Sequence, residues 1–544
     1  MTDSAATRGD LAGVREWTGL AVLALPALLA SLELTVTHLA LPAIAADLAA
    51  SSTQLLWIVD VYAFLLAAVM IPIGAWGDRI GRRRLLLIGS VGYGIASVFA
   101  AYAPNPELLI VARALMGVAG STLMPSTLSL TAAMFRNVHQ RAVAIGVIVA
   151  SVSGGTAIGP LVGGWLLEHF WWGSAFLLAT PVMAVLLVAG PLLLPEHRDP
   201  RPGCLDLGSA VLALLAVLPV VYGLKQIAAD GLSEVPAAAM VGGVAIAVLF
   251  VRRQRTMADP LIDLGLFADR VFRTAAATLT FGIFVLWGSN YAIAQYLQLV
   301  QGLSPLDAGL RTAPSAVGVI VGSLLAPRIA RRVPAAVVIG AGLIVSAVGY
   351  LILATVAPAD DLVHLVGGAI VVSAGLGPMM ALATDMVVGS APVERAGAAA
   401  AISSTAPQIG GAFGVAVLGS VVTAVYRSAM ATGVPAGVPE GAAHAARDNL
   451  GVAVVAAQQL PESIGDPLLT AARAAFTSGF HGTSVVSAVL MMVIAVLVLR
   501  LAYSGARPRS VSAGAPAKTS TSRSQRVRRP GGNRRRARAM RRSS

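Results

Sequence analysis

The sequence predicts an all-α membrane protein with fourteen transmembrane helices, and three observations lead to that prediction. The 544 residues are 56% hydrophobic and only 12% charged, with a mean hydropathy of +0.79, which is too little charge to cover a water-soluble surface of this size. A helix needs about 20 apolar residues to cross the hydrocarbon core of a bilayer, and the chain contains fourteen such runs. Arginine is distributed very unevenly among the loops between these runs.

The runs alternate with short polar segments along nearly the whole chain. The predicted spans lie, in order, near residues 19–41, 54–74, 84–102, 107–130, 142–165, 173–194, 207–227, 236–252, 273–297, 307–327, 335–356, 362–388, 400–425 and 483–503.

The loop charges predict the orientation of these spans. Every loop that follows an even-numbered span carries arginine, including Arg136 in the loop after the fourth span, whereas the short loops after odd-numbered spans contain no Lys or Arg. Positive charge accumulates in cytoplasmic loops, so both termini are predicted to be cytoplasmic. The long segment 427–482 is then external, and its Ala-rich amphipathic pieces leave open whether it forms a helical hairpin or cap, or a disordered loop.

The two ends of the chain and the single cysteine exclude several function classes. Residues 504–544 contain twelve Arg, one Lys and no acid, which accounts for the net charge of +13, so a disordered cytoplasmic tail near anionic lipids is predicted rather than a nucleic-acid-binding surface. Residues 1–18 are predicted to be a cytoplasmic N-terminal segment. Cys204 is the only cysteine, which excludes disulfides within the chain, and neither a metal ion nor an organic cofactor is expected.

Two glycine-containing motifs have a specific residue pattern that is not needed merely to orient the spans in the membrane. The loop after the second span reads G-x-x-x-D-R-x-G-R-R-R; its candidate residues are Gly74, Asp78, Arg79, Gly81 and Arg82. The fifth span contains G-x-x-x-G-P-x-x-G-G, formed by Gly155, Gly159, Pro160, Gly163 and Gly164. Small residues four positions apart allow helices to pack closely, and the proline allows a bend.

Ionisable residues inside spans are the strongest functional candidates, because each costs roughly 2.5–3.5 kcal/mol on the insertion scale unless it is paired or used. Glu33, Asp60 and Arg113 each lie roughly 10 Å below the outer surface, at 1.5 Å of rise per residue. Two acids and one base at one depth are predicted to form a compensated cluster that exchanges a proton. A static ion network is the alternative.

Several polar and aromatic residues are weaker candidates for a substrate cavity. His38 lies one turn beyond Glu33, where it can join a proton relay or serve as a structural hydrogen-bonding group. The remaining candidates are Trp57, Tyr62, Asn290, Gln295 and Gln408.

These motifs together resemble the major facilitator superfamily, and within it the fourteen-span drug:proton antiporters, the QacA/EmrB-like multidrug exporters. Further similarity lies in the segments 32–42, 57–62, 113–128 and 410–417. The resemblance implies two six-helix halves, residues 19–195 and 256–503, with two additional central spans in residues 196–255. It also implies that the loop motif is a conformational latch and that the fifth span carries the antiporter motif.

The implied function is proton-coupled export of lipophilic or cationic drugs, dyes or antibiotics across the bacterial plasma membrane, driven by the proton motive force and without enzymatic activity. The expected partners are protons, a small amphipathic substrate and the lipid bilayer, and the expected state is a monomer. Two alternatives stay open: a dedicated exporter of one endogenous natural product, and a non-transporting membrane sensor. Some family members carry acids in the tenth and thirteenth spans, where this chain has Val319 and Ser403, so a monovalent, zwitterionic or neutral substrate is favoured over a divalent cation.

Overall fold

A computed structural model of the chain describes residues 12–135, 137–196, 198, 206–257, 260, 263–357, 361–391 and 395–505. The chain up to Ser504 is one compact unit. Nearly all of the predicted basic tail 504–544, the first eleven residues of the N-terminal segment, and Arg136 in its predicted cytoplasmic loop fall outside the described residues.

The described chain is helical throughout, and its α-helices follow one another in short connections. They are α1 (Val14–Leu48), α2 (Ser52–Ile80), α3 (Arg82–Ala101), α4 (Pro106–Gly120), α5 (Leu123–Met134), α6 (Val138–His169), α7 (Ser174–Leu177), α8 (Ala179–Leu193), α9 (Leu207–Asp230), α10 (Glu234–Thr256), α11 (Arg270–Gln295), α12 (Pro305–Ala330), α13 (Ala335–Leu353), α14 (Leu362–Gly389), α15 (Ala396–Gly433), α16 (Glu440–Asp448), α17 (Leu450–Gln458) and α18 (Glu462–Gly505).

Local sequence explains where several of these helices begin. Ser51 caps α2, accepting a hydrogen bond from the backbone N–H of Gln54 while the Gln54 side chain accepts one from the N–H of Ser51, which satisfies two otherwise free donors. Asn105 caps α4 by accepting a hydrogen bond from the backbone N–H of Leu108, and Pro106 follows at the first helical position, where its missing N–H costs nothing. The polar residues between the apolar runs therefore set the helix boundaries.

The predicted all-α transmembrane fold is confirmed. Within the described residues, thirteen helical segments are long and apolar enough to cross a membrane, and α6 coincides with the one remaining predicted span, 142–165. Helices α4 and α5 form one such segment with a break at Ser121 and Thr122. Helix α11 continues as a π-helical turn, Tyr296–Val300.

The helices pack as two groups with separate apolar cores. In the first group α1 packs against α6 and α2 against α4, and in the second α12 packs against α14 and α11 against α15. The groups meet where α6 contacts α12 and where α2 contacts α15. Helices α9 and α10 pack on one another, and α9 also contacts both α2 and α15, so it lies across the junction of the two groups.

The last two spans extend further than their apolar runs. Helix α15 ends at Gly433 rather than near 425, and α18 begins at Glu462 rather than near 483. With α16 and α17 between them, the segment 427–482 is helical, which decides between the two alternatives left by the sequence. Hydropathy detects only the apolar part of a helix, whereas Ala-rich polar sequence continues the same helix beyond it.

The segment 427–482 is attached to the turn between α1 and α2. The hydroxyl of Ser52 donates to the backbone carbonyl of Asp448 at 2.6 Å, and the Asn449 side-chain amide donates to the carbonyl of Ala50 at 3.1 Å. Asn449 also caps α17 through the N–H of Val452. We refer to this part of the bundle as the Ser52 end.

Candidate functional site

Glu33 and Arg113 form a fully buried ion pair inside the first helix group. The Arg113 guanidinium donates from Nη1 to Oε1 of Glu33 at 2.5 Å, and their side chains are 0% and 2% exposed. The Tyr93 hydroxyl donates to the other carboxylate oxygen, Oε2. Arg113 also donates from Nε to the carbonyl of Ile58 at 3.0 Å and lies over the Tyr62 ring, 4.3 Å from its centroid. Helices α1, α2, α3 and α4 thus all contribute to holding one pair of charges.

Asp60 forms a second buried ion pair, with a partner from outside the first helix group. Its Oδ2 lies 2.9 Å from the Nζ of Lys225 on α9, and both side chains are 0% exposed. The Lys225 ammonium also lies 4.2 Å from the centroid of the Trp57 ring, within the range of a cation–π interaction. Apart from this ion pair, no group of the described residues donates a hydrogen bond to Asp60 Oδ1 or accepts one from Lys225 Nζ.

The predicted three-residue cluster is therefore two separate ion pairs, and the expectation that Arg113 compensates both acids is wrong. The cation beside Asp60 is Lys225, which the sequence reasoning did not select. Its predicted span ended near 227, two residues beyond Lys225. Helix α9 instead continues to Asp230, which places Lys225 one and a half turns inside the helix, where an ionisable residue is a functional candidate.

A largely apolar cavity with several polar side chains in its wall lies between the two helix groups. Its wall includes Thr35 and His38 of α1 and Pro160 of α6 from the first group, and Asn290 and Tyr350 from the second. The Nε2 atom of His38 is buried and has no hydrogen-bond partner among the described residues. His38 and Asn290, both predicted as cavity residues, therefore face the same cavity. His38 is five residues beyond Glu33 on α1.

The other predicted cavity residues lie elsewhere. Trp57 and Tyr62 contact the two buried cations rather than the central cavity. Gln295 lines a second, smaller cavity near the Ser52 end, together with Tyr291. Gln408 is half-buried on α15. The position of Gln408 in a substrate cavity stays a prediction.

The glycine motif of α6 lies between the two helix groups. A Cβ atom at Gly155 would lie 2.3 Å from the Leu28 carbonyl oxygen, and one at Gly159 would lie 2.9 Å from Cβ of Thr35, so this face packs directly on α1. A Cβ at Gly163 would meet Val36 of the same helix at 2.8 Å. The close approach predicted for small residues is therefore present at three positions.

The end of the same motif contacts the second helix group. A Cβ at Gly164 would lie 2.6 Å from Cα of Leu306, and one at Gly309 of α12 would lie 2.0 Å from the Pro160 carbonyl oxygen. The two groups are therefore in backbone contact near the start of α12. Gly309 was not predicted from the sequence as an interface residue. The sequence feature that could have indicated it is a small residue one helical turn into a span.

The charged turn between α2 and α3 contacts Glu196, the third residue after the end of α8. Gly81 has a φ of +111°, which a side chain rarely tolerates, and a Cβ there would lie 2.3 Å from Oε1 of Glu196. The Glu196 carboxylate also contacts the arginines that follow, accepting from the Arg83 N–H at 3.2 Å and lying 3.8 Å from Nε of Arg84. The side chain of Asp78 lies outside the described residues, and the latch role of Gly74, Asp78, Arg79, Gly81 and Arg82 stays a prediction.

The fold and these buried charges define a polytopic transporter, and comparison with known proteins places it in a family. The family model described as Major Facilitator Superfamily matches residues 23–415, so the chain belongs to that superfamily and is a multi-pass membrane transporter rather than an enzyme.

Individual relatives cover nearly the whole chain. It is 44% identical over 484 residues to the multidrug efflux pump LfrA of Mycolicibacterium smegmatis, covering 89% of this chain and 96% of the relative. It is 32% identical over 481 residues to the methyl viologen resistance protein SmvA of Salmonella typhimurium, covering 88% and 97% respectively. Among solved structures, a bacterial homolog of the human lysosomal transporter Spinster, in an inward-facing and occupied conformation, has the same fold, with a TM-score of 0.64, 18% identity, and coverage of 91% of this chain and 98% of that one.

Proposed function

We propose that this protein exports lipophilic or cationic drugs, dyes or antibiotics across the bacterial plasma membrane in exchange for protons. The relatives named for multidrug efflux and for methyl viologen resistance support the export of small organic compounds. The observation that carries the proton coupling is the Glu33–Arg113 pair, which is buried among four helices and whose acid, Glu33, lies on the same helix as the cavity residue His38.

The pair is suited to coupling because its charge state affects the packing of several helices. A proton added to Glu33 removes the charge that Arg113 faces, and an uncompensated guanidinium in a low-dielectric interior is costly. The helices that carry Tyr93, Ile58 and Arg113 then gain from rearranging around it. A substrate that is bound only while Glu33 is charged is exchanged for a proton, which is the stoichiometric logic of an antiporter.

Alternating access follows from the packing between the helix groups. Backbone contacts at Gly164 and Gly309 close the bundle near the Ser52 end, where Ser52 also binds Asp448. With both termini cytoplasmic, as the arginine distribution predicts, this is the outer end, and the described state is closed to the outside. We propose a monomeric unit, since one chain supplies both walls of the cavity.

Transport in proteoliposomes tests the function. Purified protein is reconstituted, a pH gradient is imposed, and the movement of ethidium is followed together with internal pH. We expect ethidium to move only when the pH gradient is present. We also expect protons to cross the membrane in the opposite direction as ethidium moves. Movement of an endogenous metabolite without dye would identify the dedicated exporter, and the absence of any gradient-dependent movement would leave only the sensor.

Single cysteines test the orientation. After Cys204 is replaced, Asn137→Cys and Glu440→Cys variants are exposed to an impermeant thiol reagent in intact cells. We expect labelling at position 440 and none at 137. The reverse pattern would overturn the proposed topology, since positions 137 and 440 lie at opposite ends of the bundle.

A further inference from the structure

We propose that Asp60 and Trp57 form a binding subsite for a monovalent lipophilic cation, and that the Lys225 ammonium occupies this subsite in the described state as a built-in competitor. The inference rests on the proposed export function and extends it, because it names a place and a chemical class of substrate. It also assigns a task to α9, one of the two helices inserted between the halves.

The geometry around Lys225 is that of a bound organic cation. A carboxylate oxygen lies 2.9 Å from Nζ on one side, and an indole ring lies 4.2 Å from the ammonium on another. A carboxylate beside an aromatic face is the combination that recognises ammonium and quaternary ammonium ligands. Both charged side chains are completely buried, so a ligand there would be held away from water.

The ammonium is held more weakly than its burial would suggest. An ammonium has three hydrogen-bond donors, but Lys225 Nζ makes only the ion pair with Asp60 and the ring contact among the described residues. A buried structural ion pair stabilises a fold only when its remaining donors and acceptors are also satisfied. Asp60 Oδ1 likewise receives no hydrogen bond from the described residues.

The two sides of the subsite belong to parts of the molecule that can separate. Asp60 and Trp57 lie on α2, within the first helix group, whereas Lys225 is carried by α9, which contacts both α2 and α15. Rocking of the groups changes the α2–α15 junction, so α9 cannot keep both contacts unchanged. When α9 moves away from α2, the Lys225 ammonium leaves Asp60 and Trp57. The Asp60 carboxylate then remains as a buried negative charge without a counter-ion, which favours binding of another cation.

Equilibrium binding tests this directly, with tetraphenylphosphonium as the probe and protein purified in detergent. Lys225→Met keeps the length of the side chain and removes the ammonium, so we expect tetraphenylphosphonium to bind at least about 10-fold more tightly, equivalent to about 1.4 kcal/mol. Adding Asp60→Asn or Trp57→Leu to that variant should remove the gain. Tyr222→Phe, on an exposed position of the same helix, is the matched control and should bind like the unaltered protein.

Three results would overturn the subsite: no gain in Lys225→Met, an equal gain for an uncharged substrate, or a gain that survives Asp60→Asn. Binding is measured without a gradient, so a failure of proton-coupled export would not affect these results. If Lys225→Met does not fold, the unaltered protein still gives an answer, because Lys225 and Lys518 are the only lysines. Tetraphenylphosphonium should increase reductive methylation of Lys225 relative to Lys518, and an unchanged ratio would contradict the displacement.

Discussion

The two buried ion pairs have the same chemistry but very different surroundings. The Glu33 carboxylate is bound by both Arg113 and Tyr93, and Arg113 is further held by the Ile58 carbonyl. Asp60 contacts only Lys225 among the described charged residues. The first pair lies entirely within one helix group, whereas the second joins that group to α9, which also contacts α15.

This difference separates two tasks that the sequence assigned to one cluster. In the proposed cycle Glu33 exchanges a proton, and its contacts with Arg113 and Tyr93 connect its charge to the surrounding helices. A carboxylate that exchanges one cation for another needs a partner that can leave, and α9 provides that for Asp60. The comparison thus predicts that the pairs respond differently to mutation.

The largest expected effect is that of Glu33→Gln. This substitution keeps the shape of the side chain but removes its exchangeable charge, so gradient-driven dye export should fall to the background rate while some passive equilibration remains. Substrate-induced proton release in proteoliposomes is the measurement. Asp385→Asn neutralises an exposed acid on α14 and should leave both rates unchanged. A Glu33→Gln protein that still exchanges protons for substrate normally would make this pair structural.

Asp60→Asn should reduce stability, because it leaves Lys225 as a buried cation without its counter-ion. Breaking a buried pair in this way typically costs about 3–5 kcal/mol. The double variant Asp60→Asn/Lys225→Met removes both charges and should recover most of the loss in thermal unfolding experiments. If the single and double variants are equally unstable, the two side chains do not interact as the structure describes.

The glycine motif connects helix packing to the Glu33 pair, since α6 packs against α1 at Thr35, two residues from Glu33. Gly159→Leu would push the helices apart, and overpacking of this kind usually costs about 1–3 kcal/mol. We expect several-fold slower export with substrate binding retained. Gly154→Leu is the matched control, because a Cβ at Gly154 would meet no atom within 4 Å. Equal slowing in both variants would remove the packing explanation.

Much of this arrangement follows from sequence patterns that depend on one helix at a time. Apolar length predicted the spans, and small-residue spacing predicted the close face of α6. The intramembrane cost of charge predicted one cluster of Glu33, Asp60 and Arg113, and the structure brings together only Glu33 and Arg113 of that set.

The pairing of Asp60 could not be predicted in this way, because it depends on how α9 is placed against α2. Sequence spacing fixes the depth of Lys225 along α9 but not the direction from which α9 approaches α2. The same limit applies to Gly309, whose neighbour Pro160 comes from the other helix group. Contacts between groups require the packing itself, and the substrate site depends mainly on such contacts.

The smallest expected effect concerns the opposite end of α9. Asp206 caps this helix through the Ser209 N–H at 3.0 Å and also accepts from Nη2 of Arg253 on α10 at 3.1 Å. Burial by itself raises the pKa of Asp206, but the hydrogen bonds from Ser209 and the charge of Arg253 outweigh it and hold the pKa below its usual value. The contribution to stability is therefore complete above the usual carboxyl pKa and is lost as the pH falls through the lowered one.

Asp206→Asn keeps a good capping group and loses only the ion pair with Arg253, whose side chain is 42% exposed. A pair of that exposure contributes at most about 1 kcal/mol. Asp206→Ala also loses the cap, for about 1 kcal/mol more. In thermal unfolding, the deficit of Asp206→Asn should be present at neutral pH and disappear in acid, because the unaltered protein then loses the same charge. A deficit that is constant with pH would show that this carboxylate does not anchor α9 by charge. Within the described residues, Asp206 joins α9 to α10 and makes no hydrogen bond to the helices around Glu33. The variants should therefore alter tetraphenylphosphonium binding near Asp60 slightly and leave proton release through Glu33 unchanged.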